Sequence, residues 1–281
     1  MKISSGVLVD RFEDINVFLR TIKNRPLNKV FNRYSDDLSS EVGSESFTKT
    51  KSYDESEDIM KSGYKEGLDN MRKADKSVSV CSKSNKAVPT ASVIGYTPHV
   101  PNAIAGIPCS MISHKRVVMK TKMLSVVYDM TASHYEKADD FVKAGRVLLS
   151  FIEMVELKGY RVKLDMMLSA CKNSEKSVAL IKVKDFRQPV NPLKLSYMML
   201  HPSFLRRQGL KWIETNPDLT DRGFRDGYGT ALYHTCGKDT RRESKWLKDN
   251  GIIGANDVFV SFYDLKSTDH IALAKTLGLK Q

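Results

Sequence analysis

The sequence predicts an α/β chain built on a doubly wound, mostly parallel sheet, with an α-rich region ahead of it. Three observations carry this. The segment HKRVVMKTKMLSVVYDM is rich in strand-forming residues and stops on an acid. EKADDFVKAGRVLLSFIEMVELKGY follows with helical periodicity and closes on Gly159. YRVKLDMMLSACK and SVALIKVKDF then come as two strands separated only by the polar stretch KNSEK. A helical crossover brings the second strand back parallel to the first, whereas a short turn reverses the third against the second.

VLVDRFEDINVFLRTIKNR reads as a short strand and then a helix with Ile15, Phe18, Leu19 and Ile22 on one side. The Ser- and acid-rich run after Phe31 reads as an exposed loop. Periodicity returns with Ile59, Met60, Tyr64, Leu68 and Met71, and Ser56 as a capping residue, which predicts one helix from about Asp54 to Arg72. Between Ser77 and Ser113, four prolines and two glycines argue against a long regular element, so an ordered loop or arm is expected. Beyond the central strands, NPLKLSYMMLHPSFLRRQGLKWIE predicts one or two helices with Pro192 and Pro202 at early-turn positions. The Gly-rich DRGFRDGYGTALYHTCGKDTRR interrupts, DVFVSFYDL predicts the last strand, and TDHIALAKTLGLK a C-terminal helix. The resulting division is an α-rich region at 1–75, a basic Pro/Gly-containing arm at 76–114 and an α/β domain at 115–281.

With 281 residues, 41% of them apolar, the chain is long enough to bury a substantial core. No apolar run approaches the roughly 18 residues that span a bilayer, so a soluble, intracellular protein without a membrane partner is expected. Cys81, Cys109, Cys171 and Cys236 are scattered without metal-ligand spacing and read as free thiols. The net charge of +12 is unevenly spread. Residues 1–75 carry 13 Lys/Arg against 14 Asp/Glu, whereas 76–128 carry seven Lys/Arg and no acid. That window suits a polyanionic partner or an acidic protein surface, or else is an apolar segment that lacks acids.

Two clusters carry candidate chemistry. In VVYDMTASHY an apolar run ends on Asp129, with Thr131 and Ser133 at alternate positions. One carboxylate and two hydroxyls in a bent loop make a small oxygen cage suited to Mg²⁺. The competing interpretation is a strand end, with Ser133 capping a helix that starts near Glu136 and Glu136 closing a capping box. In LHPSFLRRQGLKW, Phe204, Arg206, Arg207, Lys211 and Trp212 combine guanidinium groups with aromatics, as backbone contact and base stacking on single-stranded nucleic acid require. Arg225, Tyr228, Tyr233, Arg241 and Arg242 would extend that surface, as would Lys115, Arg116, Lys120 and Lys122. The competing interpretation is a solvated basic face with its aromatics in the core. His201, His234 and His270 lack neighbouring ligands and read as structural. No GK[ST] follows a strand, and no hydrolase or transferase constellation appears, so a non-enzymatic protein is expected.

The strand order around VVYDMTASHY resembles the von Willebrand factor A fold, a Rossmann-like doubly wound sheet whose first strand ends in Asp-x-Ser-x-Ser. The resemblance implies a metal-ion-dependent adhesion site at Asp129, Thr131 and Ser133, with Thr in place of the first Ser. It also asks for a Thr and an Asp from later loops, for which Asp185, Asp221 and Asp226 are candidates. Further, SFTKTKSYDESEDIMKSGYKEG, VPNAIAGIPCSM, KADDFVKAGRVLLSFIEMVELKGYRVKL and LHPSFLRRQG resemble a family of uncharacterised bacteriophage proteins. That likeness implies a phage origin and a place in the host cytoplasm. The leading expectation is a phage protein that binds single-stranded DNA or RNA in replication, transcription or packaging. The alternatives are a Mg²⁺-dependent module that binds a phage or host protein, or a virion or assembly component.

Overall fold

The computed structural model describes residues 2–3, 7–31, 38–74, 87–116, 122–173, 175–220 and 227–276. In chain order the elements are β1 (Lys2–Ile3), β2 (Val7–Phe12), α1 (Ile15–Asn24), α2 (Ser39–Val42), α3 (Glu45–Thr48), α4 (Tyr53–Ser62) and α5 (Lys65–Ala74). Then come β3 (Ala87–Ser92), β4 (Thr97–Pro98), α6 (Val100–Ile104), β5 (Met111–Arg116), β6 (Lys122–Asp129), α7 (Ala138–Leu157), β7 (Tyr160–Lys172) and β8 (Glu175–Lys184). The chain continues through α8 (Pro192–Leu200), a π-helical turn (Phe204–Gly209), α9 (Leu210–Glu214), α10 (Leu232–Thr235), α11 (Thr240–Asp249), β9 (Val258–Ser261), α12 (Phe262–Ser267) and α13 (His270–Thr276).

β6, α7 and β7 form the expected parallel crossover, and β7 turns back antiparallel into β8 at Asn173, whose left-handed φ of 50° suits an asparagine. The sheet has the order β1-β2-β8-β7-β6-β9. Three of its neighbouring pairs, β2·β8, β6·β7 and β6·β9, are parallel. β6, β7 and β9 therefore finish at one end of the sheet, and β8 starts there.

Alternate side chains of β2, β6, β7 and β8 enter two separate apolar layers, which shows helices on both faces. Leu8, Val126, Tyr128, Leu164, Met166 and Ile181 pack under α1, α7 and α8. Val7, Val9, Val127, Met167, Val178 and Leu180 meet Leu247 of α11 with Ile252 and Ile253 on the other side. Gly145 in α7 lets α8 approach, since a Cβ there would lie 2.0 Å from the Met199 carbonyl oxygen.

Several elements differ from expectation for identifiable reasons. β2 belongs to the main sheet, paired with β8, although it lies in the N-terminal α-rich region. The helix predicted from Asp54 to Arg72 is two helices broken at Gly63, which has a φ of 83° and leaves no room for a Cβ against Leu193. The final strand ends at Ser261, whose hydroxyl accepts the Asp264 N–H at 3.3 Å and starts α12. The segment expected as a loop or arm contains a small antiparallel sheet of order β3-β5-β4. No helix among the described residues is long and apolar enough to cross a membrane.

Candidate functional site: a buried acid pair at the strand ends

At the carboxyl ends of β6, β7 and β9 the chain gathers acids and hydroxyls. The Asp129 carboxylate accepts the Thr131 N–H at 2.9 Å, which turns the chain out of β6. Thr131 Oγ1 in turn accepts the backbone N–H of Ser169 on β7 at 2.8 Å and lies 3.2 Å from its hydroxyl. Ser169 Oγ accepts the Leu232 N–H at 3.0 Å, joining the start of α10 to the same cluster. Across β9, Thr240 Oγ1 donates to Asp264 at 3.0 Å and lies 3.0 Å from Ser261 Oγ.

Glu243 completes the arrangement from α11. It is fully buried, Asp129 is 1% exposed, and Glu243 faces the Asp129 carboxyl. Neither Glu243 oxygen has a donor partner, and among the described residues neither acid is ion-paired to Lys or Arg. Burial first, and the Asp129 charge second, raise Glu243 well above the carboxylate range. Burial also raises Asp129, against the lowering effect of its bonds from Thr131. As two bare carboxylates the pair has no hydrogen bond between its members. A shared proton or a cation supplies the missing partner.

Ser133 follows Thr131 on the same loop and is partly buried. Its N–H donates to Tyr263 OH at 3.0 Å, and that hydroxyl is 3.0 Å from His234 Nε2. Ser133 is not the cap of the following helix. α7 begins at Ala138, and Asp140 accepts the Lys137 N–H at 3.3 Å. Asp185 follows β8, which runs opposite to β6, so it stands at the far end of the sheet from Asp129 and cannot complete the site. Asp221 and Asp226 lie outside the described residues. Glu243 was missed although the sequence held a signal: it sits one helical turn before Leu247, on the buried stripe of an otherwise charged helix.

The expected Arg/aromatic surface is not a surface. Phe204, Arg206, Arg207 and Trp212 are all buried. Arg207 donates to the carbonyls of Ser40 at 2.9 Å, Glu41 at 2.7 Å, Gly43 at 3.1 Å and Thr50 at 2.9 Å, and to the hydroxyls of Thr48 and Thr50. A guanidinium fork meets that many acceptors only where the surrounding backbone turns its carbonyls inward. Arg206 bonds the carbonyls of Phe47 and Glu136 and lies over the Phe47 and Phe141 rings, and burial lowers it to about 10. Trp212 Nε1–H donates to Asp10 at 3.0 Å, Lys211 pairs with Glu41 at 2.7 Å, and Tyr228 OH donates to Glu214 at 2.6 Å. Arg206, Arg207 and Lys211 thereby pin the segment 38–50 to the core.

Lys122, Arg241 and Arg242 are exposed, and the last two precede Glu243 on α11, so the structure brings part of the basic set beside the acid pair. Tyr233 is half-buried and stacks on Tyr263, with ring centroids 4.2 Å apart. The backbone of Lys115 and Arg116 lies in β5. Lys120 and Arg225 lie outside the described residues. His201 is buried against Tyr64 and Tyr197. Cys109, Cys171 and Cys236 are free thiols, while Cys81 lies outside the described residues.

The fold and site define an α/β protein with a polar cluster at the strand ends, where open sheets of this class bind their ligands. Residues 2–259 match a family described as a domain of unknown function, DUF7192, and the chain belongs to that family. No curated protein and no solved structure matches it.

Proposed function

We propose that this phage-type protein is a non-enzymatic, divalent-cation-dependent binding module of von Willebrand A type. One observation carries the reading: among the described residues Asp129 and Glu243 are buried side by side without a basic partner, and Asp129 is hydrogen-bonded to Thr131, whose hydroxyl lies in the same polar cluster. Two carboxylates balance the charge of Mg²⁺, and hydroxyl oxygens are the neutral ligands this hard cation accepts. The partnerless oxygens of Glu243 fit such an ion. When bound, Mg²⁺ would present an open coordination position to an acidic group of a phage or host protein. Titration calorimetry with MgCl₂ tests the reading. Heat of binding that disappears in Asp129→Ala is expected, and its absence in the native protein rejects the cation site.

A second reading, binding of single-stranded nucleic acid, is favoured by exposed Lys122, Arg241 and Arg242 and by the acid-free window at 76–128. Fluorescence anisotropy with labelled oligonucleotides separates the two. Salt-sensitive binding that ignores EDTA supports the basic surface, because it reports phosphate contacts alone.

A further inference from the structure

Beside α11 the main sheet bears a cleft of about 170 Å³ that the acid-pair site leaves unexplained. Buried Val127 and Leu180 form its floor, and Arg11 of β2, Lys163 and Asp165 of β7 and Asp257 ahead of β9 line it. It lies toward the start of β6 and β9, whereas the acid pair stands at their far ends. The turn after α11 closes one side. Gly251 takes a left-handed φ of 65°, and the Gly254 N–H donates to the Asp257 carboxylate at 2.7 Å, which fixes that acid. Arg11 holds the same turn, its Nη2 donating to the Ile252 carbonyl at 2.6 Å and lying 3.3 Å from that of Gly251.

The charges of this lining select a ligand. Asp165 is paired with Lys163 at 2.7 Å and Glu13 with Lys182 at 2.8 Å, whereas among the described residues Arg11 has no carboxylate partner and no acceptor for its Nη1 and Nε. Burial raises Asp165, the bond from Lys163 opposes this, and the Asp257 charge adds to the rise, because both acids face the same cleft. Two cations and two carboxylates leave the lining without net charge. A simple anion meets the acids there and a simple cation meets the bases, so a molecule carrying both signs is favoured. Size narrows the choice further. An apolar cavity of about 150 Å³ takes up benzene, so this one takes a molecule of roughly seven non-hydrogen atoms, as in small α-amino acids. We propose that the cleft binds a small α-amino acid, with its carboxylate on Arg11 and its ammonium on Asp165 and Asp257.

Thermal unfolding of the metal-stripped full chain, with each standard α-amino acid in millimolar excess, tests this, and calorimetry on those that raise the Tm gives their affinity. The expected result is a rise with one or a few small amino acids. Acetate and ethanolamine, which carry the two charges separately, and glycerol, which carries neither, should give none. In amide NMR spectra the signals of Gly251, Gly254 and Asp257 should move on binding while that of Thr131 stays. Arg11→Gln, at an exposed position, should weaken binding about ten- to hundredfold. Asp257→Asn should do the same while keeping an acceptor for the Gly254 N–H, so the turn stays folded and circular dichroism is unchanged. The proposal is overturned if no amino acid binds, or if acetate, ethanolamine or glycerol binds as tightly. Signals that move only elsewhere, or full affinity in both variants, overturn it as well. Mg²⁺ is absent throughout, so failure here is distinct from failure of the cation site.

Discussion

The carboxyl of Glu243 on α11 faces that of Asp129 at the end of β6, two acids carried into the interior by separate elements. Burial and the Asp129 charge hold Glu243 in its protonated form, and the hydrogen bond that Glu243 then gives lowers Asp129 in return, which makes the region testable.

Glu243→Gln keeps the shape of the side chain and removes its charge. A carboxyl whose folded pKa is raised stabilises fully below its unfolded pKa and loses that contribution as pH rises. In EDTA the variant should therefore match the native protein near about pH 4 and exceed it at neutral pH, by roughly 1–3 kcal/mol. Thermal unfolding across that range reads the difference. Added Mg²⁺ should raise the Tm of the native protein and leave the variant unmoved.

Thr131 links two strands through its hydroxyl, which accepts the Ser169 N–H at 2.8 Å. Thr131→Val leaves that buried N–H without an acceptor and should cost about 1–3 kcal/mol in urea unfolding. Thr131→Ser keeps the acceptor and should recover most of it.

Arg207 is a structural staple. Arg207→Ala orphans the inward-facing carbonyls of Ser40, Glu41, Gly43 and Thr50 and should cost about 3–5 kcal/mol. Arg207→Lys should not rescue it, because an ammonium lacks the planar fork. Any nucleic-acid affinity should fall in Arg241→Ala/Arg242→Ala and persist in folded Arg207→Lys, as anisotropy would show.

Burial holds His201 neutral and lowers it to about 4, with its Nδ1 accepting the Ser203 N–H at 3.1 Å. The unfolded chain protonates this histidine near about pH 6.5, so its contribution is complete above that pH and is lost as pH falls toward 4. The loss should amount to about 3 kcal/mol at its limit. His201→Asn, which keeps an acceptor and cannot titrate, should flatten this part of the stability profile in acid unfolding measurements.

Legibility in the sequence followed the range of the contacts. The crossover from β6 through α7 to β7 was readable because periodicity and turn chemistry are local. The contact of Asp129 with Thr131 was readable because the two share one loop. Arg206 and Arg207 were misread as surface groups, since a guanidinium is ordinarily solvated and only the carbonyls of residues 40–50 make burial tolerable. Phe204 and Trp212 are buried on the same segment.

By itself the sequence determined the α/β class, the parallel crossover, the antiparallel return at Asn173 and the acid-free arm, because strand alternation, helical spacing and charge are properties of neighbouring residues. Only the tertiary structure decided that β2 pairs with β8, that Arg207 turns inward and that Glu243 meets Asp129. Those contacts join segments far apart in the chain, and their energy depends on how the packed core excludes water from groups that look merely polar in the sequence.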